Sequence, residues 1–215
     1  MSRFNFIFLT FYIFVQFHNY SFAQGVNGTR GILIKAAPFT ESDLPIVIIN
    51  TNGQTILDNP KINVHMGIIY NGPGIRNHIT DPENEYTGNA GIEFRGSHSQ
   101  TYPKKSYSFE TMDNSASIKI DVSIFGMSPE HDWILTASYV DKSLCRDVLS
   151  YQLSREMGHY AVRTKYVDVV VNGQYKGIYI FSESIKRDRG RVNIANLHPN
   201  EITSLDITGD RKSVV

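Results

Sequence analysis

"VNGQYKGIYIFSESIKRDRGRVNI", residues 171–194, is the stretch on which the fold reading turns. Asn172-Gly173 suits the two positive-φ positions of a type I′ turn. Residues 166–171 and 174–181 are therefore expected to pair as a β-hairpin. Side chains alternate along a strand, so Tyr175, Gly177, Tyr179 and Phe181 share one face and Lys176, Ile178, Ile180 and Ser182 the other. Gly177 interrupts a run of large residues. It marks either a close approach by a ligand or another backbone, or a point that eases sheet twist.

Working back from the hairpin, residues 141–157 read as the one strong helix, with Asp141 as its amino-terminal cap and Gly158 as its stop. At about 100° per residue, Leu144, Cys145, Val148, Leu149, Tyr151 and Leu153 form a broad apolar arc. Gln152, Arg155 and Glu156 fall within it. Upstream, short strands are expected at residues 31–36, 45–50, 61–70, 91–95 and 105–111, separated by Asn-Gly, Gly-Pro-Gly and Asp-Pro turns. Residues 71–89 make a loop long enough to be a functional surface loop or a joint between subdomains.

The chain has 215 residues with 21 Lys+Arg against 21 Asp+Glu, so no global charge argues for nucleic acid or an anionic membrane as partner. Basic residues are dense only at Lys104-Lys105 and over residues 186–191. Residues 1–23 read as an export signal: Arg3, an apolar run over 4–17, and small residues at Ser21 and Ala23, with cleavage expected after Ala23. That apolar run is short for a membrane span, and no later segment reaches spanning length, so a secreted or cell-surface protein with no transmembrane span is expected. The single Cys145 excludes an intrachain disulfide. The sequon at Asn27 matters only on a eukaryotic secretory route.

"IEFRGSHSQTYPKKSYSFE", residues 92–110, sets a glycine turn with Ser97, Ser99 and Thr101 between two strands, and Lys104-Lys105 opens the second. Backbone N–H groups and hydroxyls of such a turn can cover phosphates, with lysine supplying countercharge. A polar hairpin with surface lysines has the same local appearance. The histidines show no paired metal-ligand spacing, so no metal residues are assigned. No G-x-S-x-G elbow is present either.

Three stretches taken together, "FRGSHSQTYPKKSYSFE", "FGMSPEHDWILTASYVDKSLCRDVLSYQLSREMG" and "VDVVVNGQYKGIYIFSESIKRDRGRVNI", resemble the CotH (spore-coat protein H) kinase family from about residue 44 to about residue 206. The resemblance implies a secreted kinase that uses ATP and a divalent metal, Mg or Mn, to phosphorylate Ser or Thr of extracytoplasmic or coat proteins. It implies an α+β fold: an atypical kinase-like small lobe, antiparallel sheet plus one main helix, over residues 91–209. A β-rich extension over residues 24–90 would precede it, and the large lobe would be missing. Arg95, Gly96, Ser97 and Ser99 would lie over the phosphates, Lys104 or Lys105 would reach them, Glu156 would pair with that lysine, and Glu183 would stand at the hinge. Two other classes remain open: a non-catalytic surface- or coat-binding module, and a nucleotide-binding pseudokinase.

The family's metal-binding aspartates are expected past Asp206. Residues 210–215, "DRKSVV", are expected to be a non-native tail, because they can be encoded by a string that looks like a sequencing adapter. Without a large lobe, the apolar strand over residues 178–181 is expected to be exposed and the chain to fold poorly.

Overall fold

Turn chemistry at Asn172-Gly173 acts as expected. In the computed structural model, which describes residues 38–194, both residues have positive φ (49° and 74°). They join β8 (Thr164–Val171) to β9 (Gln174–Glu183) as an antiparallel hairpin. The hairpin departs from simple alternation at one place. Val169 faces Gly177 while Val170 faces Tyr175, so Lys176 is an extra, bulged residue, and Gly177 takes a φ of +93° that only glycine adopts without strain. One extra residue reverses inside and outside beyond it. Tyr179 and Phe181 enter the core, whereas Tyr175 turns outward, stacks on Phe39 with centroids 4.3 Å apart, and donates its hydroxyl to Asp168 at 2.5 Å. The expectation that Tyr175 shares the face of Tyr179 is thus corrected by the bulge.

Five more strands complete the main sheet: β2 (Ile46–Asn50), β3 (Ile62–Ile69), β5 (Tyr86–Arg95), β6 (Ser106–Met112) and β7 (Asp132–Thr136). Their order is β2-β3-β5-β6-β7-β9-β8, and the sheet closes because β8 pairs in parallel with β2, Ile46 opposite Asp168 through Ile49 opposite Val171. A separate two-stranded ribbon pairs β1 (Glu41–Ser42) with β4 (Asn77–His78). Inward residues from each stave, among them Met66, Ile92, Phe109, Trp133, Val169 and Phe181, fill the barrel with no more than 1% of their surface exposed. Each such side chain contributes about 1.5–3 kcal/mol by leaving water. Phe181 sits at the centre, with ring centroids 5.1 Å from Phe125, 5.2 Å from Trp133 and 5.9 Å from Phe109.

The expected α+β small lobe is therefore corrected. The chain is mostly β, with a closed seven-stranded barrel and one α-helix among the described residues. Strands β2 and β3, expected to belong to an extension, are staves of the same barrel as the hairpin. Periodicity within each segment is compatible with either fold; the β2–β8 pairing joins residues more than a hundred positions apart and leaves no local trace. Closure also overturns the expected exposure of residues 178–181, since Tyr179, Ile180 and Phe181 are all buried.

Helix α1 (Arg146–Glu156) starts five residues later than expected. The Asp141 carboxylate instead accepts the Ser143 hydroxyl (2.6 Å), the Ser143 N–H (3.2 Å) and the Arg146 N–H (3.1 Å), which shapes a turn ahead of the helix. Leu144, at φ +57°, breaks the helical path there. Gly158 ends the helix as expected, at φ +85°, with its N–H on the Arg155 carbonyl. The expected apolar arc does not become a core face. No residue of α1 is buried, and Leu149 and Leu153 remain 52% and 48% exposed.

Strand β7 has no counterpart in the sequence reading, and β5 begins at Tyr86, inside the expected loop of residues 71–89. The expected export signal, the strand over residues 31–36, the sequon at Asn27 and the tail over residues 210–215 lie outside the described residues. Among the described residues no helix is long and apolar enough to cross a membrane.

Candidate functional site

Strand β5 ends at Arg95, and the chain turns through Gly96 into a short 3₁₀ turn (His98–Thr101) before β6. Glycine is required at 96, where φ is +97° and a Cβ would stand 2.0 Å from the Ser99 hydroxyl. Across from this loop lies the connection from β7 into α1. Between them is a pocket of about 410 Å³, with Arg95, Gly96, Ser99, Tyr102 and Lys104 on one side and Thr136, Tyr139, Asp141 and Asp147 on the other. A smaller pocket of about 70 Å³ shares Arg95, Thr136 and Asp147 with it and extends to Glu183, walled by Ile134, Ile180 and Tyr151. Ile134 and Ile180 alternate with the inward Trp133, Leu135, Tyr179 and Phe181, so this cleft runs along the outside of the barrel beside α1.

The two neighbouring lysines part company. Lys104 bends over the barrel end: its Nζ donates to the Ile178 carbonyl and lies 4.3 Å above the Tyr179 ring. It occupies the room left at Gly177, where a Cβ would be 3.6 Å from Nζ. At that distance an added Cβ would make ordinary contact, so the bulge and its positive φ account for this glycine and the expected close approach does not. Burial pushes the Lys104 amine below the usual lysine range; the Asp168 charge opposes the shift and Lys142 adds to it. No carboxylate lies within ion-pair distance of Lys104 among the described residues. Lys105 takes another course, donating to the Gln100 carbonyl at 2.5 Å, and it does not line the pocket.

Arg95, Gly96, Ser99 and Lys104 are therefore brought together around one pocket, and Glu183 stands at its narrow extension. Ser97 precedes the 3₁₀ turn without capping it through its side chain and does not line the pocket. Glu156 is exposed and accepts a hydrogen bond from Gln152 of its own helix at 2.9 Å, so it reaches neither lysine. Glu183 is 1% exposed and holds Arg163: its carboxylate accepts from Nη2 at 2.5 Å, Nε at 3.2 Å and the backbone N–H at 2.8 Å. This two-pronged pair fastens the end of β9 to the start of β8.

Sequence reading missed Thr136, Tyr102, Tyr139, Asp141 and Asp147 as parts of the site. Tyr102 and Tyr139 stack with centroids 5.2 Å apart. Asp141 carried a signal, but for a helix cap. Nothing local places the turn before α1 opposite the Gly96 loop.

Among the described residues, one group has metal-ligand geometry: Asp121, Glu130 and His131, with His131 Nδ1 2.7 Å from Asp121 and 2.9 Å from Glu130. Spacing alone gave no sign of it. The group lies outside the pocket, and the Lys186 ammonium already stands 2.9 Å from Glu130 and 2.5 Å from Asp132.

Comparison with curated proteins gave no match. The family model described as CotH kinase protein matches residues 92–209, more than half of the chain. That match takes in β5 from Ile92 onward, the Gly96 loop, both lysines, α1 and the β8–β9 hairpin, which together surround the cleft. The chain belongs to the CotH kinase protein family.

Proposed function

We propose that the cleft between the Gly96 loop and α1 holds the phosphates of ATP, and that the chain serves a secreted or cell-surface protein kinase acting on Ser or Thr of extracytoplasmic or coat proteins. The observation that carries this reading is the convergence of Arg95, Gly96, Ser99 and Lys104 on one pocket of about 410 Å³. The residues suit a polyphosphate. Arg95 offers a forked cation, Lys104 a compact one, and Gly96 supplies the positive φ of the turn and leaves room for the Ser99 hydroxyl.

Bound ATP supplies the transferable phosphoryl group. The chain's own part is to position it and to balance its negative charge. Lys104 is poised for this: an amine half out of water and without a carboxylate partner among the described residues gains more from an arriving phosphate than an exposed lysine does. The cleft residues present do not form a metal-binding set among the described residues: Asp141 and Asp147 are the carboxylates of the larger pocket, and Glu183 in the smaller one is held by Arg163.

Calorimetric titration of the full chain with ATP, with and without magnesium, tests the reading. Saturable binding that Arg95→Ala weakens is expected. Absence of binding in both conditions would overturn it.

A further inference from the structure

The loop that faces the proposed phosphate site lies on the surface and is held by a few polar and ring contacts. No residue of its 3₁₀ turn is buried, and its internal bonds include Gln100 N–H to the Ser97 carbonyl and Tyr102 N–H to the Ser99 carbonyl, each 3.2 Å, and the Thr101 hydroxyl to the His98 carbonyl at 2.8 Å. Two side chains tie it elsewhere: Tyr102 stacks on Tyr139, and Gln100 reaches Asp58. The Gln100 amide donates to the Gly96 carbonyl and to the Asp58 carboxylate, both at 2.5 Å. Lys105 Nζ holds the Gln100 carbonyl from below at 2.5 Å.

Asp58 is itself anchored to the barrel. The carbonyl of its neighbour Leu57 accepts the Phe94 N–H at 2.7 Å, and the Phe94 side chain packs on the main core. A continuous path therefore runs from the core through Phe94, Leu57 and Asp58 to Gln100 and Gly96. Asp58 lies outside residues 92–209, so its part in the site follows from the fold and not from the family match.

We propose that Gln100 and Asp58 are positioning residues that set the height of the Gly96 loop over bound phosphates, placing control of polyphosphate affinity in a segment that precedes the family region. This rests on the reading of the cleft as a nucleotide site. A loop released from Asp58 must be ordered again each time it closes on a ligand, and that cost is subtracted from affinity. The amide-to-carboxylate bond is charge-assisted, so its loss is felt more than that of a neutral pair.

The test uses the full chain and two probes, magnesium ATP and adenosine. Gln100→Ala and Asp58→Ala are each expected to weaken ATP binding about fivefold, with the double variant no weaker than either single one. Adenosine affinity stays unchanged, because it has no phosphate for the loop to meet. Asp58→Asn, which keeps an acceptor oxygen without its charge, restores part of the ATP affinity. Additive losses, or an equal loss for adenosine, overturn the inference, since they mark independent or global damage. Wild-type chain that binds ATP while the variants change nothing overturns the inference alone. Wild-type chain that binds neither probe overturns the reading of the cleft and this inference with it.

Discussion

Helix α1 and strand β9 both carry apolar residues at the spacing of their own element, yet those residues end in opposite environments. In β9 the alternation delivers Tyr179 and Phe181 to a closed interior where they are at most 2% exposed. In α1 the apolar arc finds no such interior: Leu149 and Leu153 stay 52% and 48% exposed. The reason is closure. Seven strands paired into a ring bury one another's inward faces completely, so nothing apolar is left inside for a helix to cover. The helix is left to border a cleft on the outer surface, where Asp147 and Tyr151 serve as its walls. The barrel holds the buried core, and the helix side borders the proposed site.

Trp133→Ala strikes the barrel side of that contrast hardest. Its ring is fully buried against Phe181, and Arg191 stacks on it at 4.9 Å. A loss of about 3–5 kcal/mol is expected by chemical denaturation. A loss below about 1 kcal/mol would mean that the barrel interior is not the main source of stability. Next in size is Lys104→Ala on the cleft side, expected to lower ATP affinity about tenfold while Lys105→Ala lowers it about threefold through the loop. Equal effects would erase the distinction between the two lysines. Because burial lowers the Lys104 pKa, the charge that meets phosphate is lost earlier as pH rises than for a free lysine, so ATP affinity should begin to fall below the ordinary lysine value of 10.5.

A smaller effect is expected of Leu153→Ala, which should leave stability within about 0.5 kcal/mol of wild type. A loss as large as that of a core residue would show that the outer face of α1 is covered in solution. The smallest effect concerns the polar turn after β6. There Asp113 accepts from the Ser115 hydroxyl and from the Ser117 and Ile118 N–H groups, which hold its pKa down at about 2. Between that value and the ordinary 3.8 the unfolded chain binds more protons than the folded one. The stabilisation is therefore present above the ordinary value and is lost as pH falls through about 2. Melting midpoints of wild type and Asp113→Asn should converge on acidification across that window. A constant gap would remove the turn's contribution.

These outcomes bear on how far the site was legible. The Gly96 loop stood out in the sequence because glycine, hydroxyl and lysine side chains crowd into one short turn, and Arg95, Gly96, Ser99 and Lys104 do line one pocket; a polar hairpin has the same local appearance. Glu156 misled because its place on the expected arc is a statement about helix geometry, whereas its actual partner depends on where the helix sits. The Asp58–Gln100 tether links positions 42 residues apart, and neither residue is unusual in its own neighbourhood.

Sequence by itself determined the features that depend on a few adjacent residues. The Asn172-Gly173 turn, the two-residue alternation up to the bulge, the helix stop at Gly158 and the motifs that carry the family membership all belong here. Each rests on local torsional preference or on short-range side-chain chemistry. Tertiary structure alone decided that β8 closes onto β2, that β7 forms, that an extra residue at Lys176 sends Tyr175 outward, and that Lys104 and Lys105 diverge. Those outcomes depend on contacts between segments distant in the chain. Their free energy comes from burying both partners at once, and no single segment carries it.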